Sequence, residues 1–461
     1  MKKQEERKRH YRAICAFILT LTVVGSFFVV WYNFVMYNNQ TGALLGYGNL
    51  GMAIMIYSLL YIILAYVLRG FGIGVNRKMD TIASNVTALF LTDAIEILVS
   101  MAITGQFRFV GQFALRYAIL FAVQAVVVGL LLTLMTNIYR KVFPPLRMLE
   151  IHGDHPNAVA SKMHLIQFKY CVEKRMDYRD DDLESEIAKF EAVLINDIPA
   201  ENRNCILKFC YEHEIRVYFV PKISDIIIKA SDELNLIDTP LYLCRNTDIS
   251  WIQRTIKRGF DVLLSSLAVL ILSPVFLITA IAIKINDGGP VFFKQERVTI
   301  GGNRFQIIKF RSMIVDAEKD GKSHPAGEHD DRITKVGRVI RATRIDELPQ
   351  LFNILKGDMS IVGPRPERVE HVEKYTADIP EFAFRHRVKG GLTGYAQVYG
   401  KYNTTSLDKL KMDLEYIMNF SLHLDVQIIL ETIKVIFRKE STEGFSAESA
   451  AELHDYVNVD R

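Results

Sequence analysis

The sequence has little cysteine and almost no net charge for its length. Its five cysteines, in 461 residues, are an odd number without CxxC spacing, which argues against a zinc site and a disulfide framework. The formal net charge of +4 leaves no overall basic field of the kind that binds nucleic acid. We therefore expect reduced thiols and no nucleic-acid partner.

A glycine-rich dinucleotide turn is also missing. Residues 146–248 alternate short β-rich runs, such as AVLIND and IRVYFV, with helical patterns such as ENRNCILKFCYEHE, which predicts a small α/β unit. The first strand runs into IHGDHPNAVA, where a dinucleotide-binding fold would need its glycine-rich turn. We interpret the unit as a degenerate Rossmann-like module that binds no nucleotide.

Charge is absent from long stretches of the first third of the chain. The apolar fraction is 50% and the mean hydropathy is +0.13, both high for a soluble protein. Four apolar segments are each near the roughly 20 residues needed to cross a bilayer. They cover about residues 13–35, 44–68, 82–104 and 113–136. The sequence thus predicts a bundle of four transmembrane helices over residues 1–145.

Positive charge around these segments predicts their orientation. The start, MKKQEERKRHYR, is basic, whereas the first loop, NNQTGALLGYGN, has no lysine or arginine. The second loop carries Arg69, Arg77 and Lys78, and Arg140 and Lys141 follow the fourth segment. By the positive-inside rule, both ends of the bundle face the cytoplasm. A cleaved signal peptide is not expected, since the first apolar block is too long.

Two acidic residues, Asp93 and Glu96, interrupt the third segment. Ionisable groups at membrane depth are functional by default. We favour a structural role, in which both face the bundle and pair with Arg116 of the fourth segment. A transporter or flippase is the alternative, but it predicts internal repeats and paired broken helices, and the sequence has neither.

One further apolar run, residues 262–283, is split by Ser273 and Pro274. Proline in a helix removes a backbone hydrogen bond, and a neighbouring serine hydroxyl can satisfy the freed carbonyl. Both flanks are basic, so neither side looks external. We predict a re-entrant helix, over about residues 260–284, that enters and leaves the membrane by the same face. An ordinary fifth span is the alternative.

The stretch TRIDELPQLFNIL places Asp346 and Glu347 side by side ahead of an apolar repeat. The pattern predicts an amphipathic helix with Asp346 near its N-cap and Pro349 in its first turn. Two carboxylates at a helix N-terminus can bind a divalent cation that carries a diphosphate, and one of them can attack phosphorus. For this stretch alone, an ordinary capping aspartate with a first-turn glutamate is the alternative.

Basic residues flank this acidic dyad on both sides. An extended pattern in NRFQIIKFRSM puts a lysine and an arginine on one strand face, and SIVGPRPER holds an arginine between two prolines. The guanidinium group of arginine can bond two phosphate oxygens at once. The clustering of these basic residues around two carboxylates therefore predicts phosphoryl transfer.

Upstream, DRITKVGRVIRATR spaces Arg338, Arg341 and Arg344 by three, which predicts that they line one flank of a helix leading to Asp346. The candidate phosphate-binding residues are Lys309, Arg311, Arg338, Arg341 and Arg365. We assign Arg254, Lys257 and Arg258 instead to the membrane surface, against anionic lipid.

Three stretches together resemble the catalytic domain of the bacterial polyprenyl-phosphate sugar-1-phosphate transferases, the monotopic phosphoglycosyl transferases. They are FKQERVTIGGNRFQIIKFRSM, RITKVGRVIRATRIDELPQLFNILKGDMSIVGPRPE and VKGGLTGYAQVYGKYN. The similarity runs from about Arg254 to Phe437. The bundle and the α/β module ahead of it resemble the long form of the family, whose members start capsule, exopolysaccharide or O-antigen synthesis.

The resemblance implies a two-step reaction. Asp346 would attack the β-phosphate of a UDP-sugar, release UMP and hold the sugar phosphate covalently, and undecaprenyl phosphate would then accept it. Glu347 would support Asp346, and Mg²⁺, held partly by Asp346, would neutralise the diphosphate. Lys309, Arg365 and Asp413 also match the family's motifs, which implies that they bind substrate, and Ser273 and Pro274 match the break of its re-entrant helix.

Two positions depart from the family pattern. Arg344 stands where we expect an uncharged residue, and Gly390 stands where the family often has proline. Glucose or galactose is the default sugar for the long form, and N-acetylated hexoses stay open. The alternatives are a non-catalytic membrane scaffold, a lipid-linked transporter component and a nucleotide-sugar dehydratase, which the missing glycine turn disfavours.

The predicted fold class is therefore a membrane α-helical bundle plus α/β, with a mainly helical monotopic catalytic domain. Its parts are the four-helix bundle 1–145, the α/β module 146–248, the catalytic domain 249–440 with its re-entrant helix, and a polar tail 441–461. We expect a bacterial inner-membrane protein with the catalytic domain and both termini in the cytoplasm. Homo-oligomers and contacts with polysaccharide-assembly proteins stay open.

Overall fold

The computed structural model of the protein forms two compact units. One unit reaches Val220, and the other begins at Pro221. The described residues are 2–37, 46–105, 110–164, 166–244, 249–315, 330–400 and 404–436. The predicted tail 441–461 lies outside them.

The first unit begins with four long helices. Their bounds are α1 Lys2–Val30, α2 Tyr47–Val67, α3 Lys78–Thr104 and α4 Val110–Val142, with a π-helical turn, Trp31–Val35, after α1. Each is long and apolar enough to cross a membrane, so the helical prediction for the four segments is confirmed. Large apolar side chains such as Leu98 and Leu130 are exposed on the outside, as on a surface that faces lipid.

The interior of this bundle is partly polar. Asp93 and Glu96 are 4% and 0% exposed, so both face inward as predicted. The predicted pairing with Arg116 is wrong, because the Arg116 guanidinium lies over the Phe34 ring, 5.1 Å from its centre. Tyr117, the next residue of α4, points into the bundle. Because successive residues of an α-helix point about 100° apart, Arg116 points in a different direction.

Tyrosine hydroxyls take the place of the expected arginine. Tyr57 donates to Asp93 Oδ1 at 2.8 Å and also contacts the Gln124 side chain. Ser100 and Tyr117 share a hydrogen bond of 2.7 Å one helical turn beyond Glu96. Neutral groups from α2, α3 and α4 therefore surround the two carboxyl groups.

A parallel four-stranded sheet completes the first unit. The strands are β1 Leu146–His152, β2 Tyr170–Asp177, β3 Ala192–Asn196 and β4 Arg216–Phe219, in the order β2-β1-β3-β4. The helices are α5 Val159–His164, α6 Leu183–Ile187 and α7 Ala200–Glu212. This alternation confirms the predicted α/β unit.

The strand order reverses between β1 and β3, where a Rossmann fold binds its ligand. Here the loops after the two strands pack against each other. Gly153 donates its N–H to Asn196 O at 3.0 Å, and a β-carbon at Gly153 would collide with the carbonyl oxygen of Asp197. The glycine after β1 is thus required by loop packing.

The second unit holds the remaining elements. Its helices are α8 Ile223–Lys229, α9 Trp251–Asp287, α10 Lys335–Ala342, α11 Gln350–Lys356, α12 Val369–Asp378, α13 Tyr395–Tyr399, α14 Ser406–Met418 and α15 Leu422–Ile436. Its strands are β5 Asp232–Leu236, β6 Thr239–Leu243, β7 Phe292–Val298, β8 Arg304–Phe310, β9 Ser360–Val362 and β10 Gly391–Thr393. They pair as β5–β6, β7–β8 and β9–β10.

Helix α8 lies in this second unit, although the sequence analysis extended the α/β module to residue 248. Ile226 of α8 is buried with Phe382, Leu410 and Leu414. Because these partners come from the C-terminal part of the chain, the boundary between the units falls after Val220.

Helix α9 is the fifth helix that is long and apolar enough to cross a membrane among the described residues. It continues through Pro274, and Ser273 Oγ donates to Leu270 O at 2.8 Å. Leu270 O is the carbonyl that the missing N–H of Pro274 would have bonded. The predicted hydroxyl compensation is confirmed, whereas the re-entrant path through the membrane stays a prediction.

Two basic side chains in the first turns of α9, Lys257 and Arg258, contact other residues of the second unit. Lys257 pairs with Asp425 at 2.7 Å, and Arg258 donates to the carbonyls of Ile354 and Leu355 at the end of α11. A cation at a helix C-terminus also interacts favourably with the helix dipole. The assignment of Lys257 and Arg258 to anionic lipid is therefore wrong, because their charges have partners within the second unit.

Candidate active site

The acidic dyad lies in a tight turn between two helices. After α10 the chain forms a 3-10 turn, Ile345–Glu347, and Leu348 N donates to Ile345 O at 3.1 Å. Pro349 has no N–H with which to bond the same carbonyl in an α-helix, so α11 begins only at Gln350. The expectation that Asp346 lies near the helix N-cap is wrong, because the dyad precedes the helix by one turn.

Glu347 is held between two cations. Its Oε1 lies 3.1 Å from Lys309 Nζ and 2.6 Å from Arg365 Nη2. Burial acts to raise the pKa of Glu347, but attraction to Arg365 and Lys309 outweighs it and lowers the pKa well below its ordinary value. Attraction to Glu347 in turn raises the pKa of Arg365. Glu347 and Arg365 are therefore charged together, whereas burial lowers the pKa of Lys309 and the charge of Glu347 opposes that shift.

Asp346 has a different environment from its neighbour. It is half-buried, and its Oδ1 is buried without a hydrogen-bond donor among the described residues. Burial and the negative charge of Glu347 raise the pKa of Asp346, and the charges of Lys309 and Arg341 offset this only in part. A carboxylate with an unused oxygen and a raised pKa is a candidate nucleophile.

Lys309 reaches the dyad from strand β8, as the sequence predicted. Phe305 and Ile307 of the same strand are buried in the core. Asn353 of α11 bonds this strand on both sides of Ile307, since its Oδ1 accepts from Ile308 N at 2.9 Å and its Nδ2 donates to Gln306 O at 2.8 Å. Asn353 is 2% exposed and was missed from the sequence, where an amide within the apolar run LFNIL was the usable signal.

Asp413 acts on the dyad through two arginines. It is 2% exposed and accepts from Arg385 Nη2 at 2.7 Å. Arg385 Nη2 also donates to the backbone carbonyl of Arg365 at 3.0 Å. The structure thus places Asp413, a predicted substrate-binding residue, behind the loop that carries Arg365. No local pattern pointed to Arg385, because its partners lie far away in the sequence.

A half-buried arginine, Arg297, supports the same loop. Arg297, at the end of β7, donates to Pro366 O at 3.3 Å and to Gln295 Oε1 at 2.6 Å. Burial lowers the pKa of Arg297 to about 10. The backbone carbonyl groups of Arg365 and Pro366 are thus each held by an arginine, which sets the direction of the Arg365 side chain.

Arg311 has a structural partner. This predicted phosphate-binding residue is 7% exposed, forms an ion pair with Asp287 and donates to Pro290 O at 2.7 Å. A β-carbon at Gly289 would lie 2.6 Å from its guanidinium. Arg311 therefore joins the end of α9 to the end of β8, and the structure does not bring it to the dyad.

The three upstream arginines are not on one helix. Arg338 and Arg341 lie on α10, which ends at Ala342, so the expectation that all three line one helix flank is wrong. Arg341 is half-buried and its charge acts on Asp346, whereas Arg338 is exposed. Arg344 lies beyond the helix in a left-handed conformation, with φ of 58°.

This arrangement can neutralise and hold a phosphate group next to the Asp346 carboxylate. Lysine offers three N–H donors and arginine five, and the contacts with Glu347 use only one from each side chain. Lys309 and Arg365 therefore keep donors for phosphate oxygens. Preorganised cations of this kind supply most of the catalysis in phosphoryl transfer.

Comparison with known proteins agrees with this chemistry. A family model described as bacterial sugar transferase matches residues 252–439. The chain is 39% identical over 271 residues to the UDP-N-acetylgalactosamine-undecaprenyl-phosphate N-acetylgalactosaminephosphotransferase of Aeromonas hydrophila, covering 56% of this chain and 57% of that protein. It is 43% identical over 199 residues to the UDP-glucose:undecaprenyl-phosphate glucose-1-phosphate transferase of Escherichia coli (strain K12), covering 42% of each.

A shorter relative is matched over most of its length. The exopolysaccharide production protein ExoY of Rhizobium meliloti (strain 1021) is 36% identical over 194 residues, which are 39% of this chain and 84% of that protein. The chain belongs to the bacterial sugar transferase family. The resemblance to the polyprenyl-phosphate sugar-1-phosphate transferases is thus confirmed, and it argues against the transporter and dehydratase alternatives.

All the site residues of this bacterial sugar transferase lie inside the matched region, whereas α1–α4 and the parallel sheet precede it. The matches span 57% and 42% of the first two relatives. With five long apolar helices among its described residues, the sugar transferase is an integral membrane protein.

Proposed function

We propose that the protein transfers a sugar-1-phosphate from a UDP-sugar to undecaprenyl phosphate through a covalent aspartyl-phosphosugar intermediate. UMP leaves in the first step, and the lipid-linked sugar starts capsule, exopolysaccharide or O-antigen synthesis. The observation that carries the proposal is the unused, buried Oδ1 of Asp346 beside a glutamate that two cations hold.

In the first step, Asp346 attacks the β-phosphorus of the UDP-sugar as a carboxylate. An Oδ1–phosphorus bond forms while the bond between that phosphorus and the UMP oxygen breaks. UMP leaves with the electron pair of the broken bond, so no proton transfer is required. Lys309 and Arg365 balance the charge on the phosphate oxygens, and Glu347 keeps both cations in place.

In the second step, a phosphate oxygen of undecaprenyl phosphate attacks the same phosphorus. The bond to Asp346 Oδ1 breaks, and the free carboxylate is restored. Helix α9 supports this step, because it combines an exposed apolar surface with direct contacts to α11, which follows the dyad. A dissolved donor and a bilayer-anchored acceptor can then meet at the membrane surface.

A divalent cation fits the donor groups present. Among the described residues no three acidic, histidine or cysteine side chains converge as a protein-only metal site. Mg²⁺ is usually held by one or two carboxylates together with substrate phosphates, and the second carboxylate oxygen of Asp346 would suit that role. When bound, Mg²⁺ would neutralise the charge of the diphosphate.

For the donor we propose glucose or galactose first, and N-acetylated hexoses next. The names of two relatives, one for glucose and one for N-acetylgalactosamine, support testing both kinds. We place the protein in the bacterial inner membrane, with the catalytic domain and both termini in the cytoplasm and α9 as a re-entrant helix. The absence of lysine and arginine from NNQTGALLGYGN supports this orientation.

The test is UMP release by the purified full-length protein, with Mg²⁺ and undecaprenyl phosphate, across a panel of UDP-sugars. We expect release with one donor, and loss of essentially all turnover in Asp346→Asn. Asp378→Asn, the same chemical change at an exposed position on α12, is the matched control and should retain the wild-type rate. Near-normal rates in Asp346→Asn would overturn the nucleophile assignment.

A further inference from the structure

Arg344 joins α10 to the turn that carries the dyad, and its backbone is unusual. Its φ of 58° and ψ of 15° are left-handed, a conformation that costs an L-residue about 1–2 kcal/mol and that glycine or asparagine adopts more readily. Its carbonyl accepts from Glu347 N at 3.2 Å and closes the turn. Backbone strain of this kind clusters at functional sites.

The side chain of Arg344 is exposed beside the dyad. Its positive charge acts on both acidic side chains of the turn, Asp346 and Glu347. An exposed guanidinium so close to a carboxylate nucleophile can meet a phosphate group without first losing a buried ion pair.

Four other cations of this unit already have carboxylate partners. Lys309 and Arg365 bond Glu347, Arg311 pairs with Asp287, and Arg385 pairs with Asp413. Within the part of the chain that the structure describes, no carboxylate forms an ion pair with Arg344. Its five N–H donors are available to an incoming anion.

We propose that Arg344 binds the diphosphate of the nucleotide donor and that the left-handed turn serves to present its guanidinium there. The inference rests on the proposed function and adds a binding residue to it. Arginine suits this task because its fork can bond two phosphate oxygens at once.

Three substitutions separate the charge from the backbone. Arg344→Asn and Arg344→Gly tolerate the left-handed conformation and remove the charge, whereas Arg344→Lys keeps the charge and the strain. The neutral variants should melt at the wild-type temperature or above it. A loss of ligand binding in them would then report the charge and not a damaged turn.

The direct readout is calorimetric binding of UDP and of uridine to the full-length protein carrying Asp346→Asn, in the presence of Mg²⁺. Arg344→Asn and Arg344→Gly should weaken UDP binding about tenfold, the loss expected for a hydrogen bond to a charged group. Uridine, which has no phosphate, should bind unchanged. Arg344→Lys should stay within about threefold of the parent.

Kinetics on the otherwise wild-type protein give a second readout. The neutral variants should raise the KM for the UDP-sugar about tenfold, with a smaller change in kcat. Unchanged UDP binding in Arg344→Asn would overturn the inference. Equal losses for UDP and uridine would also overturn it, because the role would then be structural.

Failure of the proposed function gives a different result. It would appear as no UMP release by the wild-type protein with any donor. The UDP measurement would still decide the role of Arg344, because it does not depend on turnover.

Discussion

The chain has two pairs of carboxyl groups close together, one buried and one half-buried, and their neighbours differ. Asp346 and Glu347 are adjacent in a 3-10 turn and lie among lysine and arginine side chains. Asp93 and Glu96 are three residues apart on α3 and lie near tyrosine, serine and glutamine side chains. Cations attract an anionic substrate and stabilise its transition state, whereas neutral hydroxyls and amides only satisfy hydrogen bonds. The neighbours decide which pair can react.

Replacing one glutamate in each pair should give the largest difference between the two pairs. Glu347→Gln leaves Lys309 and Arg365 without their anion, so we expect UMP release to fall about 100- to 1000-fold and stability to fall by about 3 kcal/mol. Glu96→Gln should leave the rate per folded molecule unchanged. The measurements are UMP release and thermal unfolding.

An exposed glutamate on α12 provides the control for Glu347→Gln. Glu370→Gln makes the same chemical change in the same unit and should alter neither rate nor melting temperature. A Glu347→Gln protein with wild-type turnover would show that its two cations need no anion between them.

The pH profile sharpens the comparison within the dyad. Burial and the charge of Glu347 raise the pKa of Asp346, so the acid limb of kcat/KM should lie above the ordinary aspartate value of about 3.9. The rate should rise with pH, because only the carboxylate attacks. In Glu347→Gln the acid limb should move to lower pH, because the negative charge of Glu347, which helps to raise the pKa of Asp346, is gone. An acid limb at the same pH in both proteins would contradict the effect of the Glu347 charge on the pKa of Asp346.

The smallest expected effect concerns the bundle. Tyr57→Phe removes the hydroxyl that donates to Asp93, and we expect a loss of about 1–2 kcal/mol in stability. We expect UMP release per folded molecule to stay unchanged, because the neighbours of this pair are neutral groups and not phosphate-binding cations. Tyr66→Phe, on the exposed side of α2, is the matched control. A rate loss in Tyr57→Phe alone would give the bundle a part in turnover.

Local patterns in the sequence predicted much of this fold. The extended pattern of β8 assigned Lys309 to the phosphate site, and the structure brings its side chain to the dyad. The Ser273–Pro274 pair predicted which hydroxyl would compensate a lost backbone bond. In each case the residues that form the pattern are close in sequence, so periodicity or a neighbouring side chain carries the information.

Contacts between distant segments were not predictable in this way. Arg116 was expected to enter the bundle, but its neighbour Tyr117 occupies the inward face. Arg311 was expected at the phosphate site, but Asp287 holds it elsewhere. An arginine looks the same in sequence whether its partner is a substrate or a carboxylate from another element, and only the fold distinguishes them.

Helix α9 is tied to the elements of the active site at several points. Arg258 bonds the end of α11, Asp261 accepts from Ile361 N at the start of the loop toward Arg365, and Asp287 holds Arg311 after β8. The apolar helix therefore holds several elements of the catalytic unit in position, in addition to anchoring the unit in the membrane. A water-soluble fragment that begins after this helix would lose the contacts that Arg258, Asp261 and Asp287 make with α11, β9 and the end of β8.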